Sequence, residues 1–237
     1  MEVIKECILD DELYPEKLKT ISDAPKTLYY KGNIDLLLGN VVAVIGKRET
    51  SKRYAQMAYQ IGSLLAGDGY VVLNGLAIGC DTDAIKGALS KKGRVVAIMP
   101  CGLDRVYPSS NKELVQQILE NDGCIISEYP NGIRPERYRF VQRDRIQAAL
   151  SDRVVVVDSE KKSGTMHTVR YAAKYKKPVA CVIEKGDLPS PNGNIYMVEE
   201  NLACSITDTA SLKAFMEQPQ FKQISLFDPD DMPKKGE

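Results

Sequence analysis

The sequence predicts an α/β fold with a doubly wound, mostly parallel sheet, and three observations carry that prediction. Short Val- and Ile-rich runs alternate with helical stretches from Val41 to Ile183, the pattern of strand–helix–strand units. The runs are nearly continuous in apolar character, as strands are when helices cover both faces of a sheet. Hydrophobic residues make up 43% of the 237-residue chain and charged residues 27%, which suits one medium domain with appendages.

Residues 1–40, carrying Pro15 and Pro25, read as a short N-terminal helical lead-in: two short helices and a turn. The main domain is expected over residues 41–216. Its strands are Val41–Ile45, Tyr70–Asn74, Arg94–Met99, Cys124–Ser127, Arg153–Asp158 and Pro178–Ile183, with helices including Lys52–Ala66, Thr82–Ser90, Asn111–Glu120 and Thr165–Lys176. A turn-rich stretch from Gly186 to Asn194 precedes a last strand and helix. Residues 217–237 are polar, with Pro219, Pro229, Pro233 and three aspartates, and read as a flexible C-terminal tail.

The 32 basic and 32 acidic side chains cancel, so only local clustering can point to a partner. No apolar run is long enough for a membrane span, and Met1–Glu6 is not a signal peptide. The six cysteines form no C-x-x-C pair, and several sit inside strand runs as small hydrophobes. A reduced, cytoplasmic location without membrane contact is expected.

Ligands on such sheets bind beyond the carboxyl ends of the strands, so the strand-end loops matter most. After the first strand, Gly46 permits a tight turn, Lys47 and Arg48 supply charge, and Thr50 or Ser51 can cap the next helix, leaving an anion-receptive N-terminus. An ordinary turn with solvated basic residues is the alternative. After the second strand, Gly75 and Gly79 allow close backbone approach and Asp81 can cap the following helix. This loop is neither a P-loop nor a G-x-G-x-x-G fingerprint, and a turn chosen for packing remains open.

Arg134 to Arg145 is the most informative stretch, with five arginines in twelve residues, interleaved with Tyr138 and Phe140 and without lysine. Guanidinium groups clamp phosphates and aromatic rings stack on bases. Arg137, Arg139, Phe140, Arg143 and Arg145 are therefore candidates for binding unpaired nucleic acid at the strand-end rim. A solvated helix edge paired locally through Glu136 and Asp144 is the alternative. After the fifth strand, Ser163, Gly164 and Thr165 open a helix N-terminus suited to a phosphate. His167, the only histidine, has no visible nucleophile or metal-ligand partner, so no catalytic residue, metal or cofactor is expected.

Taken in register, these stretches resemble the DprA/Smf family of DNA-processing proteins. The likeness runs from Tyr14-Pro15-Glu16-Lys17-Leu18 and Pro25-x-x-Leu28-Tyr29-x-x-Gly32 through Ile45-Gly46-Lys47-Arg48, Gly75-Leu76-Ala77-x-Gly79-x-Asp81 and Cys101-Gly102-Leu103-Asp104-Arg105-Val106-Tyr107-Pro108. Ser127-Glu128-x-Pro130, Arg143-Asp144-Arg145-Ile146 and Ser163-Gly164-Thr165 follow. Asp144 stands where that family usually has Asn, and Ile85 where it usually has His. The resemblance implies an extended Rossmann-like domain that dimerises, binds single-stranded DNA without sequence preference in natural transformation, and helps load the RecA recombinase. Carried over, its pocket would use Arg48, Arg143 and Arg145 with backbone amides at Gly46, Ser163 and Gly164.

In the tail, Gln223-Ile224-Ser225-Leu226-Phe227 is similar to the bacterial sliding-clamp-binding pentapeptide. Leu226 and Phe227 would enter an apolar groove while Gln223 bonds at its rim. A nucleotide-binding or nucleotide-hydrolysing protein of the wider superfamily, and an adaptor acting through its tail, are the competing function classes.

Overall fold

The computed structural model describes residues 3–184 and 192–218, and within them one nine-stranded sheet organises the chain. Its strands are β1 (Lys5–Ile8), β2 (Thr27–Gly32), β3 (Val41–Ile45), β4 (Val71–Asn74), β5 (Val95–Ile98), β6 (Cys124–Ser127), β7 (Arg153–Val156), β8 (Val179–Val182) and β9 (Cys204–Ile206), in the spatial order β1-β2-β6-β5-β4-β3-β7-β8-β9. All pairings from β6 to β9 are parallel, while β2 lies antiparallel to both β1 and β6. The predicted mostly parallel sheet is thus present. The order reverses direction at β3, because β4 lies on one side of it and β7 on the other. Such a switch point opens a crevice at the carboxyl edge of the strands.

Side-chain alternation along β3 shows why both faces must be covered. Val41, Ala43 and Ile45 enter one core, and Val42 and Val44 the other, all 3% exposed or less. The first core holds Leu18 of α1 (Glu16–Lys19), Ile146 and Leu150 of α5 (Arg137–Leu150), Val169 of α6 (Thr165–Lys174) and Met197 of α7 (Gly193–Glu199). The second holds Ile61 of α2 (Lys52–Gly67), Ile85 of α3 (Cys80–Ser90), Ile118 of α4 (Lys112–Glu120) and Phe215 of α8 (Thr209–Glu217). Among the described residues no helix is long and apolar enough to cross a membrane.

Two regions differ from the sequence expectation. The lead-in contains its two short helices, α1 and a 3-10 turn at Ile34–Leu38, and in addition the strands β1 and β2, which extend the sheet through β6. The second difference bears on the site. The arginine-rich stretch is loop only up to Glu136, and from Arg137 to Arg145 it forms the front of α5. From Arg143 to Leu150 every residue of that helix is buried, so its rear half is packed all round. Gln223, Leu226 and Phe227 lie outside the described residues.

Candidate nucleic-acid interface at the switch point

Placing Arg137–Arg145 in α5 sorts its side chains by phase. Residues three, four and seven apart share a helix face, whereas residues two apart do not. Arg137, Phe140, Arg143, Asp144 and Gln147 accordingly line one cavity of about 670 Å³. Its other walls come from Gly46, Lys47 and Arg48 after β3, and from Ser163, Gly164, Thr165 and His167 at the start of α6.

The wall beside α5 is cationic and aromatic. The Arg48 guanidinium carbon lies 5.2 Å from the Phe140 ring centroid, and Tyr107 meets the same ring edge-on at 5.4 Å. Arg48, Arg137 and Lys162 are exposed and, among the described residues, form no ion pair. Lys47 is partly neutralised, its Nζ being 3.4 Å from Asp158 and 3.3 Å from Glu160. Opposite, at the start of α6, the amides of Ser163, Met166 and His167 already donate to the carbonyls of Glu160, Ser163 and Gly164 at 3.0, 3.2 and 2.9 Å. The amides of Gly164 and Thr165 are therefore the ones this end presents to a ligand, and the Ser163 amide expected to join them is taken. The Ser163 hydroxyl at this end shares a 2.9 Å hydrogen bond with that of Ser159.

Arg143 forms the floor, only 6% exposed. Gly75 makes room for it: a Cβ on that residue would fall 1.2 Å from Arg143 Nη1. Asp81 does not cap α3, as the sequence suggested, because Gly79 occupies the N-cap position. The Asp81 carboxylate instead accepts from the amides of Gly75 at 3.0 Å and Ala77 at 3.3 Å, fixing the loop against which Arg143 rests. Burial pushes its pKa up to about 6, opposed by Arg143 and by those amides. Asp144, with Oδ1 3.2 Å from Arg143 Nε, is also raised to about 6 by burial, against the pull of Arg143. Gly79 works indirectly. At φ +79° it lies so close to the Lys47 and Arg48 carbonyls that a Cβ would come within 2.5 Å of both, so it sets the course of the Arg48 loop. Of the two capping candidates after β3, Ser51 caps α2 by accepting from the Tyr54 amide, while the Thr50 hydroxyl donates to Asp158 at 2.6 Å.

Two of the expected arginines lie elsewhere. Arg145 is 7% exposed, with Nη1 and Nη2 on the Glu128 carboxylate at 3.0 and 2.8 Å and Nε 3.0 Å from Asp23. Burial alone would lower its pKa, but hydrogen bonding and charge from Glu128 hold it above the ordinary value. It fastens the lead-in to α5. Arg139 pairs with Glu136 at 2.8 Å and lies over Tyr129 and Tyr138 at 5.3 and 5.0 Å. The expectation that Arg137, Arg139, Arg143 and Arg145 gather at one rim is corrected: a two-residue offset along α5 turns Arg139 and Arg145 away from Arg137 and Arg143. Conversely, Asp144, Gln147, Thr168 and His167 belong to the cavity lining, and only Asp144 and His167 had drawn notice in the sequence. Among the described residues no group of three or more His, Cys, Asp or Glu could hold a metal ion.

A switch-point groove with a guanidinium–aromatic wall, facing helix-end amides, defines an α/β protein equipped to bind an anionic ligand. Comparison with known proteins then places the chain within that class. The family model described as DNA recombination-mediator protein A matches residues 5–217, and the chain belongs to that family. It is similar to a protein Smf from Synechocystis, 32% identical over 218 residues, covering 90% of this chain and 54% of the relative. DNA processing protein DprA from Streptococcus pneumoniae is 39% identical over 175 residues, 74% of this chain and 61% of the relative. The chain thus spans somewhat over half the length of these curated relatives. Among solved structures, the single-stranded-DNA-binding DNA processing protein A from Helicobacter pylori superposes with a TM-score of 0.80 at 31% identity, over 91% of this chain and 98% of that one.

Proposed function

We propose that the chain binds single-stranded DNA in the switch-point groove, in a largely sequence-tolerant manner, as a non-catalytic component of DNA recombination. The observation that carries this is the Arg48–Phe140–Tyr107 wall across the cavity from the α6 N-terminus. Unpaired bases have free faces for an aromatic platform, while guanidinium groups and helix-end amides take the phosphates between them. Duplex bases are already stacked and offer that wall nothing. Membership of a recombination-mediator family and likeness to the Helicobacter pylori DNA-binding structure support the same conclusion.

The wider role we infer is protection of single strands, as a homodimer in the cytoplasm, and their hand-over to a RecA-type recombinase. Docking on the sliding clamp through Gln223, Leu226 and Phe227 rests on sequence alone. The test is an anisotropy titration of a labelled single strand and its duplex at two salt concentrations. Preference for the single strand is expected, with affinity falling steeply as salt rises. Equal binding of the duplex, or a flat salt response, would overturn the proposal.

A further inference from the structure

The groove divides by sign of charge. Its rim holds the unpaired cations Arg48, Arg137 and Lys162. Its floor holds two carboxylates, Asp81 and Asp144, 5% and 8% exposed, about the single guanidinium of Arg143. With one cation against two carboxylates, that floor has no surplus positive charge to offer a phosphate, whereas the rim does. A bound strand is therefore oriented with its phosphates at the rim and a base pointing inward.

The base that enters meets an aromatic wall and then an acceptor. Phe140 and Asp144 stand four residues apart on α5, one turn apart on the same side, and both line the cavity. A base stacked along Phe140 thus turns its edge toward Asp144. An ionised carboxylate offers about four acceptor lone pairs and no donor, and only Oδ1 of Asp144 is engaged, by Arg143 Nε at 3.2 Å. The neighbouring Gln147 is already occupied: its Nε2 donates to Thr168 Oγ1 at 3.3 Å and its Oε1 accepts from Arg143 Nη1 at 3.5 Å. With the Asp81 carboxylate held by the amides of Gly75 and Ala77 at 3.0 and 3.3 Å, Asp144 is the floor residue left to read the edge.

We infer that Asp144 is a base-reading residue that favours, at one position of the bound strand, a base carrying an exocyclic amino donor over one presenting a carbonyl there. This deepens the single-strand proposal and rests on it, adding a modest preference to binding that is otherwise sequence-tolerant. Cytosine, whose amino group carboxylate side chains accept from in nucleic-acid complexes, is the matching pyrimidine, and thymine the mismatched one.

The test is titration of the whole chain with labelled oligo-dC and oligo-dT of equal length at about pH 8, where the carboxylate is ionised. Oligo-dC is expected to bind about tenfold more tightly. The near-isosteric Asp144→Asn, which offers a donor as well as an acceptor, should bring the two within about twofold of each other. An oligonucleotide of doubly N-methylated deoxycytidine keeps the ring and loses the donors, so it should bind the unaltered chain as oligo-dT does; this arm does not depend on the variant folding. Equal affinity for oligo-dC and oligo-dT, undiminished binding of the methylated strand, or an Asp144→Asn chain that gains equally for both bases would each overturn the inference. Failure to bind any of the strands would overturn it together with the single-strand proposal.

Discussion

Arg143 and Arg145 stand two residues apart on one helix and have opposite surroundings. Arg143 lines an open groove, and a glycine opposite gives its guanidinium room. Arg145 is clasped by Glu128 and Asp23 on the far side of α5 and fastens the lead-in to the domain. Both are nearly buried, at 6% and 7% exposure, so exposure does not separate them. What separates them is the carboxylate geometry: a bidentate clasp saturates Arg145, while Asp144 reaches only Nε of Arg143. The number of arginines in a stretch is therefore a poor measure of the cations available to a ligand.

Breaking the Arg145 side of this contrast should have the largest effect, and on stability. Glu128→Ala removes the bidentate partner of a buried guanidinium and leaves it the single carboxylate of Asp23, which costs roughly 3 kcal/mol. The midpoint of thermal unfolding should fall by on the order of 10 °C, read by circular dichroism. On the Arg143 side, losses should appear in binding. Phe140→Ala removes the stacking surface and the seat of Arg48, worth about 1–3 kcal/mol per base in comparable sites. Roughly tenfold or greater weakening by anisotropy is expected, while Arg48→Ala should in addition lower the slope of log affinity against log salt by about one.

Gly75→Ala sharpens the contrast without deleting a charge. The new methyl occupies the Arg143 seat, so single-strand affinity should drop severalfold, and Arg143→Ala in the same chain should add little more, as expected of two changes acting through one contact.

The smallest effect concerns pH. Asp81 and Asp144 are both raised to about 6 by burial. The folded chain then holds protons more tightly than the unfolded chain between the ordinary carboxylate range and about 6. Their favourable contribution is present at low pH and is lost as pH rises through that window. Asp144→Asn should therefore raise the free energy of unfolding at neutral pH more than at acid pH, by on the order of 1 kcal/mol. Affinity for oligo-dT, which makes no use of the carboxylate as an acceptor, should strengthen as pH falls through about 6, because the floor loses negative charge, and less so in the variant.

The sheet from β3 to β8 was legible in the sequence because burial on both faces writes an unbroken apolar run. Strands β1 and β2 were not. Only Cys7 is buried in Lys5–Ile8, and Leu28 and Tyr30 alternate with more exposed residues just after Pro25. Helix α5 was hidden for a related reason: its arginine-rich front lacks an apolar period, and its rear is buried on all sides. The glycine loops could be found by residue type, but the clearance of Gly75 for Arg143 needs the helix and the loop in one frame. Gln147 and Thr168 gave no signal, being ordinary polar residues until packing brings them to the cavity.

The most direct measurement compares Arg143→Ala with Arg145→Met by anisotropy against one labelled single strand at low salt. Methionine replaces the Arg145 stem by an apolar group of similar length, and such replacements of buried ion-pair members are best judged beside the partner change Glu128→Gln in the same chain. Loss of binding in Arg143→Ala, with near-native affinity in the folded Arg145→Met/Glu128→Gln chain, is the expected result. Retained affinity in the first and loss in the second would place the strand on the other side of α5 and contradict the groove.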